Sequence, residues 1–330
     1  MSNGRDRLLA YIDRFSGMRI AVLGDLMLDV YFRGEASRIS PEAPVPVVNV
    51  RNIVRRLGGA GNVMSNIVTL GGKSFAFGMI GADAAGGELT AELDRFGIDR
   101  AGLTVDPNRR TTEKQRILAG HQQLLRLDHE DTHAAPESLR AELVDRIVKL
   151  IRAHEIDALI FEDYRKGLLC ESMLAEIVPE AAKHGVLTAL DPKPGSLLPV
   201  PDLTVIKPNR SEAFRMAGVE KGSLDEVAAV LLDKWRPQYL LISLAQDGMA
   251  LYRRCGGKTV IPTRAREVFD VSGAGDTVVA TFMLALAAGA EPEDAAELSN
   301  YAAGIVVGKV GTSPVAVSEL RHEINLRKSL

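Results

Sequence analysis

The chain has 330 residues, 46% of them hydrophobic and 25% charged, and carries a formal net charge of −3. That length and balance suit one large soluble α/β domain or two small ones, and the slight negative charge speaks against a nucleic-acid binder, which is usually basic overall. Two cysteines, Cys170 and Cys255, are too few for a disulfide scaffold and suit a reducing compartment.

Residues 1–17 mix Arg5, Asp6, Arg7, Asp13 and Arg14 with scattered apolar residues, so no signal-peptide core is present. Arg19 to Leu23 reads as a first buried strand ending in Gly24-Asp25. In open α/β sheets ligands bind at the carboxyl ends of strands, which puts Asp25 and Asp29 at a site mouth. Asp25 as an ordinary loop aspartate is the plain alternative. Residues 31–50, with Pro41, Pro44, Pro46 and alternating valines, read as a strand-rich excursion forming half of a lid. Gly58 to Gly72 is a glycine-rich turn running into a helix, Asn62 to Leu70. Gly72-Lys73-Ser74 is not a P-loop, because that motif needs a glycine five residues earlier, where Ile67 stands.

Phe75 to Ile80 gives a second strand and Ala84 to Phe96 an amphipathic helix. Thr111 to Leu118 and Leu124 to Leu127 form a hairpin across Ala119-Gly120-His121, the other half of the lid within 108–128. His129-Glu130-Asp131-Thr132-His133 matches the zinc-protease pattern in its letters only. It sits in a polar linker with Pro136 behind it, whereas the motif needs a helix that sets both histidines on one face.

Beyond residue 137 the pattern alternates. Helices are expected at Ser138–Ala153, Glu171–His184, Arg210–Ala217 and Leu224–Trp235, and strands at Ala158–Phe161, Leu187–Leu190, Thr204–Ile206 and Tyr239–Ser243. Such alternation predicts a mostly parallel sheet covered on both faces. Met249–Tyr252 and Thr259–Ile261 add an antiparallel edge. With no internal repeat or low-complexity linker, one domain over 1–330 with the lid segments inserted is expected. The longest apolar run, Val278 to Ala288, is too short to span a bilayer, so a cytoplasmic protein without membrane or nucleic-acid partners is expected.

That run follows Asp270-Val271-Ser272-Gly273-Ala274-Gly275-Asp276-Thr277, the stretch with the clearest chemistry. Glycines let a backbone turn sharply and approach a ligand, and the free N–H groups of a first helical turn favour negative charge. A purely structural helix start would use a Ser or Asp cap without the glycines.

This stretch resembles the C-terminal signature of the ribokinase-like (PfkB) carbohydrate kinases, and Gly58-Gly59-Ala60-Gly61-Asn62 resembles their first signature. Gly24-Asp25-Leu26-Met27-Leu28-Asp29, the segment Arg38 to Val47, and Gln122-Gln123-Leu124-Leu125-Arg126-Leu127-Asp128 narrow the resemblance to the heptose 7-phosphate kinases of lipopolysaccharide precursor synthesis. It covers nearly the whole chain. It implies a three-layer α/β/α sandwich with a mostly parallel central sheet and a small β-strand lid. It also implies ATP and Mg²⁺ as cofactors, and the lid strands at 31–50 and 111–127, too exposed to be stable singly, predict a homodimer packed through the lids.

Phosphoryl transfer has a loose transition state, so the protein mostly positions reactants and stabilises charge. The resemblance makes Asp276 the general base, with the N–H groups of Gly273, Ala274 and Gly275 on the transferring phosphate. Asp25, Asp29, Gly59, Asn62 and Gln123 would hold the sugar, and Arg38, Arg126, Lys166 and Lys193 are the candidate cations for its phosphate. Lys207, Asn209, Glu212, Ser243 and Gly248 would line the ATP side. Asn209-Arg210-Ser211-Glu212 resembles the family's Asn-x-x-Glu motif, which organises Mg²⁺ through water, although the same residues also make a capping box. Ser243 to Gly248 departs from the family pattern, with Ala245 where a glycine is usual. Asp270 and Ser272, with carbonyls near Val306 to Gly311, match the place where relatives bind a monovalent cation such as K⁺.

The expected reaction is ATP-dependent phosphorylation of D-glycero-D-manno-heptose 7-phosphate at C1. Some relatives fuse this kinase to a nucleotidyltransferase; with Leu330 closing this chain, that second activity is expected on another protein. A kinase of ribose or fructose 6-phosphate is the nearest rival, opposed by the Arg38–Val47 and Gln122–Asp128 segments. A Rossmann dehydrogenase would need Gly-x-Gly-x-x-Gly after the first strand, where Gly24-Asp25-Leu26 stands. A non-catalytic sugar sensor would not need Asp276 and both glycines intact.

Overall fold

Ile20 and Val22 face one core and Ala21 and Leu23 another, all four fully buried, so the strand that carries them is covered on both sides. A strand of this kind needs helices above and below it. The computed structural model describes residues 4–120, 122–193, 198, 200–264, 268–309 and 311–326. The first half of the chain forms α1 (Gly4–Arg14), β1 (Arg19–Gly24), β2 (Leu26–Ile39), β3 (Pro46–Gly59), α2 (Ala60–Thr69), β4 (Lys73–Gly81), α3 (Ala84–Phe96), β5 (Asp99–Asp106), β6 (Thr112–Ala119) and β7 (Gln122–His129). Then come α4 (Glu137–Arg152), β8 (Ala158–Asp163), α5 (Glu171–Lys183), β9 (Leu187–Pro192), β10 (Val205–Ile206), α6 (Arg210–Ala217), α7 (Leu224–Trp235) and β11 (Tyr239–Ser243). The C-terminal part holds β12 (Met249–Arg253), β13 (Lys258–Ile261), α8 (Ala274–Ala287), α9 (Pro292–Val306) and α10 (Val317–Asn325).

A nine-stranded sheet runs in the order β13-β12-β11-β10-β9-β8-β1-β4-β5, with only β12 running against the others, so that the β11-β12 and β12-β13 pairings are antiparallel. Helices α1, α2, α3, α8, α9 and α10 build the core that Ile20 and Val22 face, and α4 to α7 build the other. The expected three-layer α/β/α sandwich is therefore the fold. From β1 the chain moves outward through β4 and β5, then returns to β8 and moves the opposite way. The switch point lies between β1 and β8, where open α/β sheets take their ligands. Asp25 follows β1 there, and Asp163-Tyr164 closes β8.

A second, four-stranded sheet has the order β3-β2-β6-β7, with β2 and β6 parallel and both outer pairs antiparallel. Its first two strands are fourteen residues each and run from Leu26 to Gly59, well beyond the excursion expected at 31–50. The extra length comes from Leu26–Val30 and Arg51–Gly59, whose inner ends, Leu26–Val30 and Leu57–Gly59, continue the pairing into the core. The hairpin turn residue His121 lies outside the described residues. Among the described residues no helix is long and apolar enough to cross a membrane.

Candidate active site

Helix α8 is apolar on every side and buried from Asp276 to Ala285, so its first turn is held rigidly under the switch point. Gly273 precedes it with φ 79°, and a Cβ there would lie 2.5 Å from the Asn62 amide nitrogen, so glycine is required. Asp276 is 4% exposed. Its Oδ1 accepts a hydrogen bond from the Tyr164 hydroxyl at 2.7 Å, and its Oδ2 accepts from Asn62 Nδ2 at 2.8 Å. Asn62, expected to meet sugar hydroxyls, thus spends its amide on the candidate base. The approach of α2 to α8 is fixed alongside it by Thr277 Oγ1, 3.2 Å from Asn66 Oδ1.

Glu162, Asp191 and Asp276, all buried, bring carboxylate oxygens within 4.8 Å of one another. Two lysines offset them: Lys193 Nζ lies 3.1 Å from Asp191 Oδ2, and Lys207 Nζ lies 3.1 Å from Asp191 Oδ1. Burial works against the Asp191 anion, but the two ammoniums outweigh it and hold the carboxyl below the usual carboxylate range. Neither Glu162 oxygen has a hydrogen-bond partner among the described residues. Burial first, then the neighbouring Asp191, pushes that carboxyl well above its ordinary value. A neutral acid at this position avoids the cost of an unpaired buried anion.

The cavity beside Asp276 measures about 770 Å³ and is lined by Lys193, Lys207, Asn209, Glu212, Ser243, Gly248 and the Gly273–Asp276 turn, all singled out from the sequence, together with Tyr164. Asn209 and Glu212 form a complete capping box on α6: Asn209 Oδ1 accepts from Glu212 N at 2.9 Å, and Glu212 Oε2 accepts from Asn209 N at 2.7 Å. Burial raises the Glu212 carboxyl. Ser243 ends β11, and its N–H bonds to Pro208 O. Ala245 takes the left-handed conformation that the usual glycine would adopt, with φ 53°. Asp270 accepts from Ser272 N through Oδ1 and from Gly311 N through Oδ2, each at 2.9 Å, and so ties two loops together. Val310, within the stretch expected to supply carbonyls, lies outside the described residues.

On the other side, Asp25 Oδ2 accepts from the N–H groups of Tyr164 at 2.9 Å and Lys166 at 3.0 Å. Gly59 stands against Asp25 with φ 53°, and a Cβ there would meet Asp25 O at 2.6 Å. Asp29 is paired with Arg116 at 2.7 Å and reached by Thr312 Oγ1 at 3.3 Å. Burial raises it, with Arg116 pulling the other way. Lys166 Nζ lies 2.6 Å from Glu130.

Register places Asp29, Tyr31, Arg116, Arg126 and Gln123 on one face of the small sheet, since directly paired residues share a face. Gln123 and Arg126 lie on the outermost strand, two strand spacings or about 10 Å from β2, and Arg126 bonds Asp128 at 2.8 Å. Arg38 lies nine residues along β2 from Asp29, about 30 Å of strand, past the last β6 partner at Gly34. The structure does not bring Arg38 to the Asp276 end of its own chain; the reason is the unforeseen length of the strand.

Tyr164, Glu162, Asp191 and Arg116 belong to this site, and sequence reasoning gave none of them a role. Arg116 left no distinct signal, because it closes a run of polar residues, Glu113-Lys114-Gln115-Arg116, in its strand.

The sequence matches the family described as pfkB family carbohydrate kinase over residues 18–318. A relative named bifunctional protein HldE, from Caulobacter sp. (strain K31), is 45% identical over 323 residues, covering 96% of this chain and 64% of the relative. The chain spans about 64% of the length of the curated relatives it matches. Among solved structures, Escherichia coli phosphofructokinase-2 in complex with potassium shares the fold with a TM-score of 0.77 at 19% identity, over 94% of this chain and 98% of that one. Arabidopsis thaliana ribokinase complexed with ribose and ATP does so with a TM-score of 0.72 at 19% identity, over 93% and 98%.

Proposed function

Because the chain belongs to the pfkB family of carbohydrate kinases, we propose that it transfers the γ-phosphoryl group of ATP to the C1 hydroxyl of D-glycero-D-manno-heptose 7-phosphate. The product is the 1,7-bisphosphate, made in the cytoplasm as a precursor of ADP-heptose and the lipopolysaccharide core. The observation that carries the chemistry is Asp276, a buried carboxylate at a helix N-terminus beside the Gly273–Gly275 turn, on the wall of a large cavity. The acceptor hydroxyl gives its proton to Asp276 as its oxygen attacks the γ-phosphorus, and the bond to the ADP oxygen breaks. The N–H groups of Gly273 and Gly275 face the charge that builds on the transferring group, whereas the Ala274 N–H, expected to join them, is bonded to Val271 O at 3.3 Å.

The nucleotide occupies the cavity between Lys207, Asn209, Glu212, Ser243 and Gly248. The donor set suits Mg²⁺, which keeps most of its waters and asks for few carboxylates. Glu212 spends Oε2 on the cap, leaving its other oxygen, with Asn209, for a hydrated ion. The bound ion would neutralise phosphate charge. Asp270 and Ser272 would hold K⁺ at the loop junction, where the Asp270 carboxylate is already anchored by two N–H groups. Asp25, Asp29, Gly59 and Asn62 surround the sugar, while Lys166, Lys193, Gln123 and Arg126 meet its phosphate, with Arg116 beside them. Two copies associate through the small sheets.

The choice of heptose rests on the resemblance of Gly24–Asp29 and Gln122–Asp128. It is tested by ATP turnover over heptose 7-phosphate, unphosphorylated heptose, ribose and fructose 6-phosphate, with and without EDTA, for wild type and Asp276→Asn. Heptose 7-phosphate should react fastest, EDTA should abolish turnover, and Asp276→Asn should lower kcat by about 10²–10⁴. Faster turnover of another sugar would replace the substrate, and a near-wild-type kcat for Asp276→Asn would remove the base.

A further inference from the structure

A carboxylate at a helix start is free to swing, because the Asp χ2 torsion is broad and roughly two-fold. Asp276 is not free. Its two oxygens are each taken by a donor from a different element, Asn62 from α2 and Tyr164 from the loop after β8. The loop is built to present that hydroxyl. Arg165 adopts φ 59°, and its N–H bonds back to Asp163 Oδ1 at 2.9 Å, a tight turn that lifts Tyr164 off the strand end. The Tyr164 N–H is anchored on Asp25 at 2.9 Å, and Lys193 Nζ sits 4.5 Å from the centre of its ring. The same residue thus touches a proposed sugar-binding carboxylate through its backbone and the proposed base through its side chain.

We propose that Tyr164 is a positioning residue for phosphoryl transfer: its hydroxyl, with the Asn62 amide opposite, fixes the Asp276 carboxylate in the orientation that takes the acceptor's proton. This rests on Asp276 being the general base. Burial, then the Asp276 charge, pushes the phenol well above its ordinary value, so it acts as a neutral donor throughout the working pH range. Each carboxylate oxygen offers two lone pairs, so Oδ1 can accept from Tyr164 and from the sugar hydroxyl together. The other groups facing Asp276 are Glu162 on β8, Asp191 on β9 with its partners Lys193 and Lys207, and Asp29 on β2 with its partner Arg116. None of these hydrogen-bonds Asp276 among the described residues, so the two donors alone set its orientation.

The test compares wild type, Tyr164→Phe and enzyme carrying 3-fluorotyrosine at 164, with Asp276→Asn as reference. The readouts are kcat and KM for ATP and for the best sugar of the panel, between pH 5 and pH 9. Tyr164→Phe keeps the ring under Lys193 and removes only the donor. Its kcat should fall about 10–100-fold, the effect of losing a hydrogen bond to a charged group, with KM for ATP within about twofold. The acid limb of its kcat profile should move up by about one pH unit, since an unassisted carboxylate is protonated more readily. The fluorinated phenol, a stronger donor, should move that limb down. Should Tyr164→Phe fail to fold, judged by its melting, the fluorotyrosine enzyme decides by the direction of its shift alone. An unshifted limb, or kcat within twofold of wild type, overturns the inference. So does a lower sugar KM with undiminished kcat, which would make Tyr164 a placeholder that the sugar displaces. If Asp276→Asn itself turns over normally, the general-base reading falls and takes this inference with it.

Discussion

Asp25 shows most directly how single residues of this site work against the fold. It is 5% exposed, and burial first, with Asp163 adding to it, pushes its carboxyl from 3.8 up to about 6 despite N–H bonds from Lys166 and Tyr164. A carboxyl raised in the folded state holds its proton more tightly there than in the unfolded chain. Its contribution is therefore most favourable below about pH 4, is lost as pH rises to about 6, and stays lost above. The loss amounts to about 3 kcal/mol over that window. Both N–H groups bond one oxygen, Oδ2, so an asparagine can accept both through its single carbonyl oxygen. Asp25→Asn should thus unfold at a higher guanidinium midpoint than wild type at pH 7.5, with the gap closing toward pH 4, while sugar phosphorylation falls. A variant less stable than wild type at pH 7.5 would show that Asp25 is a structural anchor and not a strained ligand.

At the level of elements, one point of backbone strain is the Ala245–Asp247 turn after β11. Ala245 is exposed, with φ 53°, a conformation that costs an L-residue about 1–2 kcal/mol. The glycine that the family pattern expects there would pay part of that back in chain entropy. Ala245→Gly should therefore stabilise by about 1 kcal/mol net, a gain of about 2 °C in Tm for a chain of this size. An unchanged or lower Tm would mean the turn is not strained. That departure was readable beforehand because a turn motif is local. So were the strands from β8 to β12 and the helices between them, whose apolar runs are buried on both sides. The strand β5 escaped notice because Asp99-Arg100-Ala101-Gly102 opens it with exposed polar residues and pairs only with β4. Helices α1, α9 and α10 went unassigned, and the true reach of β2 and β3 depends on pairing that no local pattern encodes. Within the site, the glycine turns and Asn209-x-x-Glu212 were legible from spacing. Tyr164, Glu162 and Arg116 were not, because their roles follow from which strand ends and registers meet.

For the molecule as a whole, the unanswered surface is the outer face of the small sheet. Register sets Ile53, Phe32, Ile117 and Leu125 in one row across all four strands, on the face opposite Asp29 and Arg116, with Phe32 itself packed against the main core. Ile53 is 41% exposed and Leu125 52%, and Leu127, Val50, Val45 and Ile39 extend the apolar surface beyond them. Strands β3 and β7 are open edges at either side. Exposed apolar strips beside open edges invite pairing. A second copy related by a two-fold axis answers this with one self-complementary contact, and a net charge of −3 opposes it only weakly. Such a contact has to bury about 1,200–2,000 Å² in total, which needs the overhanging β2–β3 hairpin as well as the row. Light scattering at micromolar concentration should give a mass near 71.2 kDa, twice 35.6 kDa. Ile53→Glu with Leu125→Glu, two charges in the middle of the strip and none on the site face, should halve that mass while leaving the Tm of the monomer fold within a few degrees. A wild-type mass of 35.6 kDa under these conditions would leave the strip for some other contact and end the dimer reading.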